Sequence, residues 1–405
     1  MTLPLMRQPT FQYYWLARAV SSLGDAISLV ALPLLILQAT GSISQMGIVS
    51  ALGAGARLVS GFVAGTIADR CPRRPVLLIA DLVRGLAVVA LPLLWYTDHL
   101  AVQFIYVAVV LTGLLGSIFE TLAATAIVEI AGHARLAEAN GLVEGAESFM
   151  YVLGPALAGL LAAGVGAAPA VGIDGCSFLI SAGALVSIRW LPRQAAVVRT
   201  PIRADFVAGY RALLADTQLA RILLVTLVTA FSSVGAVDVF IYHLRRDMHE
   251  PTTVVGLVIG AACLGGVAAG LSAARILATW RPTAILIVVL GLIGCQRLPL
   301  AFTTSVPFIV MLAIGYTFGS SLGTIVAVTV RGHTVPDALL GRASAVWIVL
   351  VQAVTSLGAA VLTNLVPYIG ADGVFVLIGL SEVAMLAVIA RPITAGSAYD
   401  STRAS

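Results

Sequence analysis

Apolar runs long enough to cross a bilayer recur along almost the whole chain. They fall at about 13–37, 45–67, 76–96, 101–127, 142–165 and 168–190. After a polar stretch, six more follow at about 221–243, 253–277, 283–302, 305–330, 343–367 and 373–390. A membrane helix needs about 20 apolar residues, so the pattern predicts an all-α polytopic membrane protein with twelve transmembrane helices. Composition agrees: 60% of the 405 residues are hydrophobic and 10% are charged. So few charges cannot cover the surface of a water-soluble chain of this size, which excludes a soluble enzyme, a disordered chain and a nucleic-acid-binding domain. The four cysteines (Cys71, Cys176, Cys263 and Cys295) show no metal-ligand or CxxC spacing. No cleavable signal is evident, because the first apolar run carries Arg18 and Asp25.

The arginines orient the spans. Arg7, Arg70, Arg73, Arg74, Arg135, six between Arg189 and Arg221, Arg275, Arg281, Arg331, Arg342, Arg391 and Arg403 all fall in alternate loops or the tails. Only Arg245 and Arg246 mark the other side. The positive-inside rule therefore predicts cytoplasmic termini. All 23 basic residues are arginine, which reads as the codon bias of a GC-rich bacterium, so the expected location is a bacterial plasma membrane. The one long connection is about 191–220. Within it Phe206, Tyr210, Leu213 and Leu214 share a helix face expected to lie on the cytoplasmic membrane surface. The expected organisation is a six-helix half at 1–190, a linker with an amphipathic helix at 191–220, and a second six-helix half with a short tail at 221–405.

An internal repeat supports two pseudo-symmetric halves. Residues 46–78 align without gaps to 255–287, so that Gly47 meets Gly256, Gly61 meets Gly270 and Ala64 meets Ala273. VSSLG at 20–24 is similar to FSSVG at 231–235, and Gly132-His133 recurs as Gly332-His333.

Two local motifs are more specific. Gly65-Thr-Ile-Ala-Asp69-Arg70-Cys-Pro-Arg73-Arg74 lies between the second and third runs, with Asp81 and Arg84 following on one helix face. This resembles motif A of the major facilitator superfamily, although Pro72 stands near the place of its second glycine. The resemblance implies a gating latch in which Asp69 docks on a helix N-terminus in one of two states. The fifth run carries Gly141, Gly154, Pro155, Ala158 and Gly159, similar to motif C of the superfamily's antiporters, with Met150 and Ala158 replacing two glycines. Small residues and a proline suit a helix that packs closely and bends. FQYYWLARAVSSLGDAISLVALPLL, ADLVRG and EANGL extend the resemblance to the branch of siderophore exporters and macrolide-type efflux proteins. The implied fold is the major facilitator fold, and the implied direction is export.

Charges placed within spans usually face the bundle interior. A carboxylate in such surroundings binds a proton more readily than one in water and can exchange it between two openings. The expected coupling residues are Asp25 and Glu120, with Glu147 and Asp238 behind them; an R-x-x-Q-G motif before Glu120 is missing. Arg18 and Asp25 share a face of the first helix but lie too far apart to pair, so each needs a partner elsewhere. Arg57 and Arg297 are candidate partners for these carboxylates or for an acidic substrate group. Glu129, Glu144, Asp174 and Glu382 fall near expected span ends, where a solvated role is favoured. Tyr14, Trp15, Tyr151, Phe231, Trp347 and Phe375 either line a cavity or anchor at the membrane interface. No metal, nucleotide or other cofactor motif is present.

Together these features predict a monomeric secondary transporter, not an enzyme. It would export a small amphipathic molecule (a drug, siderophore or other secondary metabolite) by proton antiport with alternating access. Its partners are substrate, protons and membrane lipid, without nucleic acid. An importer or lipid flippase on the same fold, or a polytopic membrane enzyme or receptor, remains the alternative.

Overall fold

The computed structural model describes residues 5–132, 135–188 and 202–389. The linker positions 189–201, with Arg189, Arg193 and Arg199, the tail arginines Arg391 and Arg403, and His133 of the Gly-His repeat lie outside the described residues.

Every described element of regular structure is helical, as hydrocarbon requires of a backbone whose polar groups find no water. The helices are α1 (Pro9–Thr40), α2 (Ile43–Arg70), α3 (Arg73–Tyr96), α4 (Val102–Ala131), α5 (Leu136–Gly164), α6 (Ala167–Val186), α7 (Ile202–Leu214), α8 (Thr217–Tyr242), α9 (Thr252–Thr279), α10 (Pro282–Leu300), α11 (Val306–Thr334) and α12 (Asp337–Ile389). Among the described residues ten are long and apolar enough to cross a membrane, and a shorter apolar helix runs from Ala284 to Leu300. Leu86, Leu160, Leu271 and Ile348 are exposed on these helices. Apolar side chains displayed this way fit a hydrocarbon solvent rather than water.

Helix ends follow local chemistry. Gly41 closes α1 in the left-handed conformation (φ 65°), donating its N–H to Leu37 O, and Ser42 caps α2 by accepting from Gln45 N–H. Asp216 caps α8 by accepting from Leu219 N–H at 2.9 Å. Within α12, Gly370 (φ 72°, ψ 169°) interrupts the helix and divides it into arms 337–369 and 371–389. Only glycine takes that backbone conformation without strain.

The helices gather into two compact units. Unit 1 comprises Met1–Val197 and Leu244–Gly260, and unit 2 comprises Val198–His243 and Ala261–Ser405. The core of unit 1 includes Phe11, Leu77, Phe119, Leu122 and Leu185. That of unit 2 includes Leu219, Ile222, Leu290, Val326 and Val346. The apolar face foreseen for α7 divides. Leu213 is fully buried and Phe206 packs on the unit 2 core, while Tyr210 and Leu214 are exposed. Gly209 allows this docking, since a Cβ there would lie 2.5 Å from the Arg342 carbonyl oxygen.

The serine-glycine tracts of the repeat mark close helix crossings in each unit. A Cβ at Gly24 would collide with the Ser177 hydroxyl of α6, and one at Gly235 would lie 2.9 Å from Gly358 O of α12.

Candidate functional site

Unit 1 brings charged side chains of α1, α3, α4, α5 and α6 within reach of one another. At the centre stands Arg18 of α1. Its Nη1 donates to Glu120 Oε1 of α4 at 2.7 Å, and its Nη2 and Nε reach Glu147 Oε1 of α5 at 2.6 and 2.7 Å. The arginine and Glu147 are largely buried, whereas the Glu120 side chain keeps 59% of its surface exposed. One turn earlier on α1, Tyr14 donates its hydroxyl to Ala123 O of α4 at 3.0 Å, and Trp15 donates to Leu142 O of α5 at 3.0 Å. These bonds fix α1 against both helices that supply the carboxylates. One guanidinium thus serves two acids, so the trio is neutral only when one acid carries a proton.

Asp25, two turns along α1, is partly buried. It lies within electrostatic reach of Arg84, Glu120, Arg57 and Arg18 without a direct ion pair to any of these described residues. Arg57 itself is exposed on α2. Asp174 of α6 acts on Asp25 through charge, accepts from Ser28 Oγ of α1 at 2.5 Å, and is only 4% exposed. Placing Asp174 near a solvated span end therefore fails, because α6 turns that face against α1 where Gly24 leaves room.

Asp81 and Arg84 form an ion pair within α3, at 0% and 4% exposure. Ser181 of α6 donates to the second Asp81 oxygen at 2.6 Å. The Arg84 guanidinium lies 4.7 Å from the Phe119 ring centre and 4.3 Å from that of Phe178. Phe119, Phe178, Ser181 and Ser28 carry no charge, and only the helical spacing of small and aromatic residues on α4 and α6 could have pointed to them.

At the motif A turn the side chains of Gly65, Asp69 and Arg70 lie outside the described residues. The backbone ends α2 with Cys71 N–H bonded to Ile67 O at 2.9 Å, and the Cys71 side chain is exposed. Arg73 pairs with Glu129 of α4, and Arg74 Nη2 donates to Val186 O of α6 at 2.9 Å. Glu129 is thus an ion-pair partner tying α3 to α4, not a solvated end group.

The motif C-like glycines differ from one another. Gly141 is exposed and borders open space. Gly154 is pressed against Ala26 of α1, and a Cβ at Gly159 would lie 2.7 Å from Thr252 O and 2.8 Å from Gly256 Cα of the first turns of α9. Pro155 sits inside α5 between these contacts, where it removes one backbone donor.

Unit 2 holds three of the charged candidates. Asp238 of α8 is 2% exposed. Arg297 of α10 is 6% exposed, with its guanidinium 4.0 Å from the Tyr316 ring centre of α11. Glu382, expected near a span end, is instead fully buried and accepts from Ser232 Oγ at 2.9 Å. The aromatic candidates also separate: Phe375 is buried against His243, Trp347 lies under Arg331, and Tyr151 is exposed. Among the described residues no group of three or more His, Cys, Asp and Glu side chains is placed to hold a metal.

Residues 14–359 match the profile of the Major Facilitator Superfamily. The chain is 28% identical over 385 residues to the multidrug efflux pump Tap of Mycolicibacterium fortuitum, covering 92% of this chain and 93% of that one. It is 27% identical over 369 residues to the enterobactin exporter EntS of Shigella flexneri, covering 89% and 86%. Its fold is similar to that of a solved mutant form of the nucleoside transporter NupG, with a TM-score of 0.80, 10% identity, and coverage of 94% and 98%. The chain therefore belongs to the Major Facilitator Superfamily, as a multi-pass membrane transporter and not an enzyme.

Proposed function

We propose that this transporter exports a small amphipathic molecule from a bacterial cell in exchange for protons. The observation that carries the reading is Arg18 shared by Glu120 and Glu147 inside unit 1. Two acids on one guanidinium make a site whose charge balance depends on a single proton. Glu120 is exposed enough to exchange that proton with water or to meet a substrate. Similarity to an efflux pump and to a siderophore exporter favours the outward direction.

In the proposed cycle an outward-open state protonates Glu120, which loosens its hold on Arg18, or Asp25, which acts on Arg18 through charge alone. An inward-open state then returns the proton to the cytoplasm and admits substrate there. Glu147 keeps Arg18 in place throughout, and Asp238 is the reserve carboxylate of unit 2. The fold would run as twelve spans in two six-helix halves, 1–190 and 221–405, joined by the 191–220 linker. Both termini would lie in the cytoplasm and the chain would act as a monomer. Asp69 with Arg70, Arg73 and Arg74 would serve as the latch, and Gly154, Pro155 and Gly159 as the tight, bendable segment of α5.

Efflux from cells expressing the chain, measured for a panel of amphipathic compounds with and without an uncoupler, tests this reading. Wild type should lower accumulation of at least one compound, and the uncoupler should abolish the effect. Asp25→Asn and Glu120→Gln should lose uncoupler-sensitive efflux while keeping the wild-type elution profile in detergent. Full efflux in both variants would overturn the site assignment; net uptake in oriented vesicles would replace export by import.

A further inference from the structure

Unit 2 buries a carboxyl group that the coupling cycle proposed above does not use. Glu382, on the second arm of α12, has one oxygen bonded to Ser232 of α8 and the other without a partner. The arm is crossed closely by α10: a Cβ at Gly294 would lie 3.1 Å from Val383 N, and one at Gly379 would lie 3.1 Å from Gly294 O. Arg297 follows Gly294 by about one turn, and Glu382 follows Gly379 by about one turn, so both side chains leave the same helix contact.

The guanidinium acts on Glu382 through charge. It makes no ion pair with it, and stacks on Tyr316 instead. Its Nε and Nη2 have no hydrogen-bond partner, although the residue is only 6% exposed. Two buried donors and one buried acceptor are therefore left open on neighbouring side chains. Interior polar groups tolerate that poorly, and an Arg–carboxylate pair with two parallel hydrogen bonds would satisfy all three.

We propose that Glu382 is a proton site of unit 2, neutral in the arrangement seen here and ionised when Arg297 leaves Tyr316 to pair with it. On ionisation the carboxyl O–H bond breaks and the proton passes to water admitted by movement of the helices. Arg297 Nε–H and Nη2–H then donate to the two carboxylate oxygens, displacing Ser232. Proton uptake reverses the exchange. Among the described residues, Tyr316 of α11 and Ser232 of α8 face the site, with Asp238 further along α8. Asp372 of α12 lies at the start of the arm, paired with His243 at 3.6 Å. The use of this proton in transport rests on the coupling reading of the preceding section; its chemistry does not.

Infrared difference spectra of the purified full chain, titrated with pH in lipid nanodiscs, read the site directly. Wild type should show a protonated-carboxyl band that fades as pH rises, and Glu382→Gln should lack it. Arg297→Met removes the countercharge, so the same band should persist to a pH higher by about one unit, a tenfold change in proton affinity. Identical spectra for wild type and Glu382→Gln, or an Arg297→Met titration superimposable on wild type, would overturn the proposal. If Glu382→Gln does not fold, the Arg297→Met comparison decides alone. Asp25→Asn and Glu120→Gln should leave this band intact even where they abolish efflux, so the two readings fail separately.

Discussion

Unit 1 and unit 2 each bury an arginine against aromatic rings, and each places a serine hydroxyl on the neighbouring carboxyl group. In unit 1 the set is Arg84, Phe119, Phe178, Asp81 and Ser181. In unit 2 it is Arg297, Tyr316, Glu382 and Ser232. The difference lies in where the acid comes from. Asp81 stands three residues before Arg84 on the same helix, so the backbone keeps the two together however the other helices move. Glu382 belongs to α12 and Arg297 to α10, so their separation depends on how those two helices slide. The same residue types therefore make a fixed post in one unit and an adjustable contact in the other.

This contrast orders the expected effects of substitution. The largest should come from Arg84→Met, which leaves Asp81 buried without its countercharge and should cost about 3–5 kcal/mol in unfolding measured in detergent. Adding Asp81→Leu to that variant should restore most of the loss. Next come the close crossings. Gly154→Val and Gly358→Val should each cost about 1–3 kcal/mol, because a Cβ at either meets atoms of a neighbouring helix, Ala26 for Gly154 and the Phe231 carbonyl for Gly358. Arg297→Met should cost less, about 0.5–2 kcal/mol, since it gives up a cation–π contact and no polar bond. A loss equal to that of Arg84→Met would show that unit 2 holds its arginine as firmly as unit 1 and would break the comparison. The smallest effect should be Trp15→Phe, which removes one interhelical hydrogen bond and should lower stability by about 0.6 kcal/mol.

Much of the fold is legible in the chain because hydrocarbon allows one solution to an apolar run, and about twenty such residues declare it. The Asp81–Arg84 pair is legible for a related reason, since a spacing of three on a helix is a contact. Arg18 is different. Its partners stand 102 and 129 positions away on other helices, and no periodicity on α1 names them. Asp174 and Glu382 mislead because hydropathy blurs span ends by several residues. Both sit where a helix face turns toward α1 or α10, which only packing decides. Sequence repeats helped where they carried glycine: Gly24 and Gly235 both stand at helix crossings, the one place where the absence of a side chain is itself a contact.

The exposed thiol of Cys71 at the α2–α3 turn has a practical meaning. Cys176 in α6 and Cys295 in α10 are also exposed and Cys263 in α9 is half-buried, but all three lie within long apolar helices rather than at a turn. Hydrocarbon around such helices keeps a charged, water-borne reagent away from their lipid-facing side chains. A water-borne maleimide should therefore label Cys71 selectively in the unmodified protein. The chain already carries a reporter dye's attachment point two residues from Asp69, so motion at that turn can be followed by fluorescence without removing a native cysteine or adding a new one.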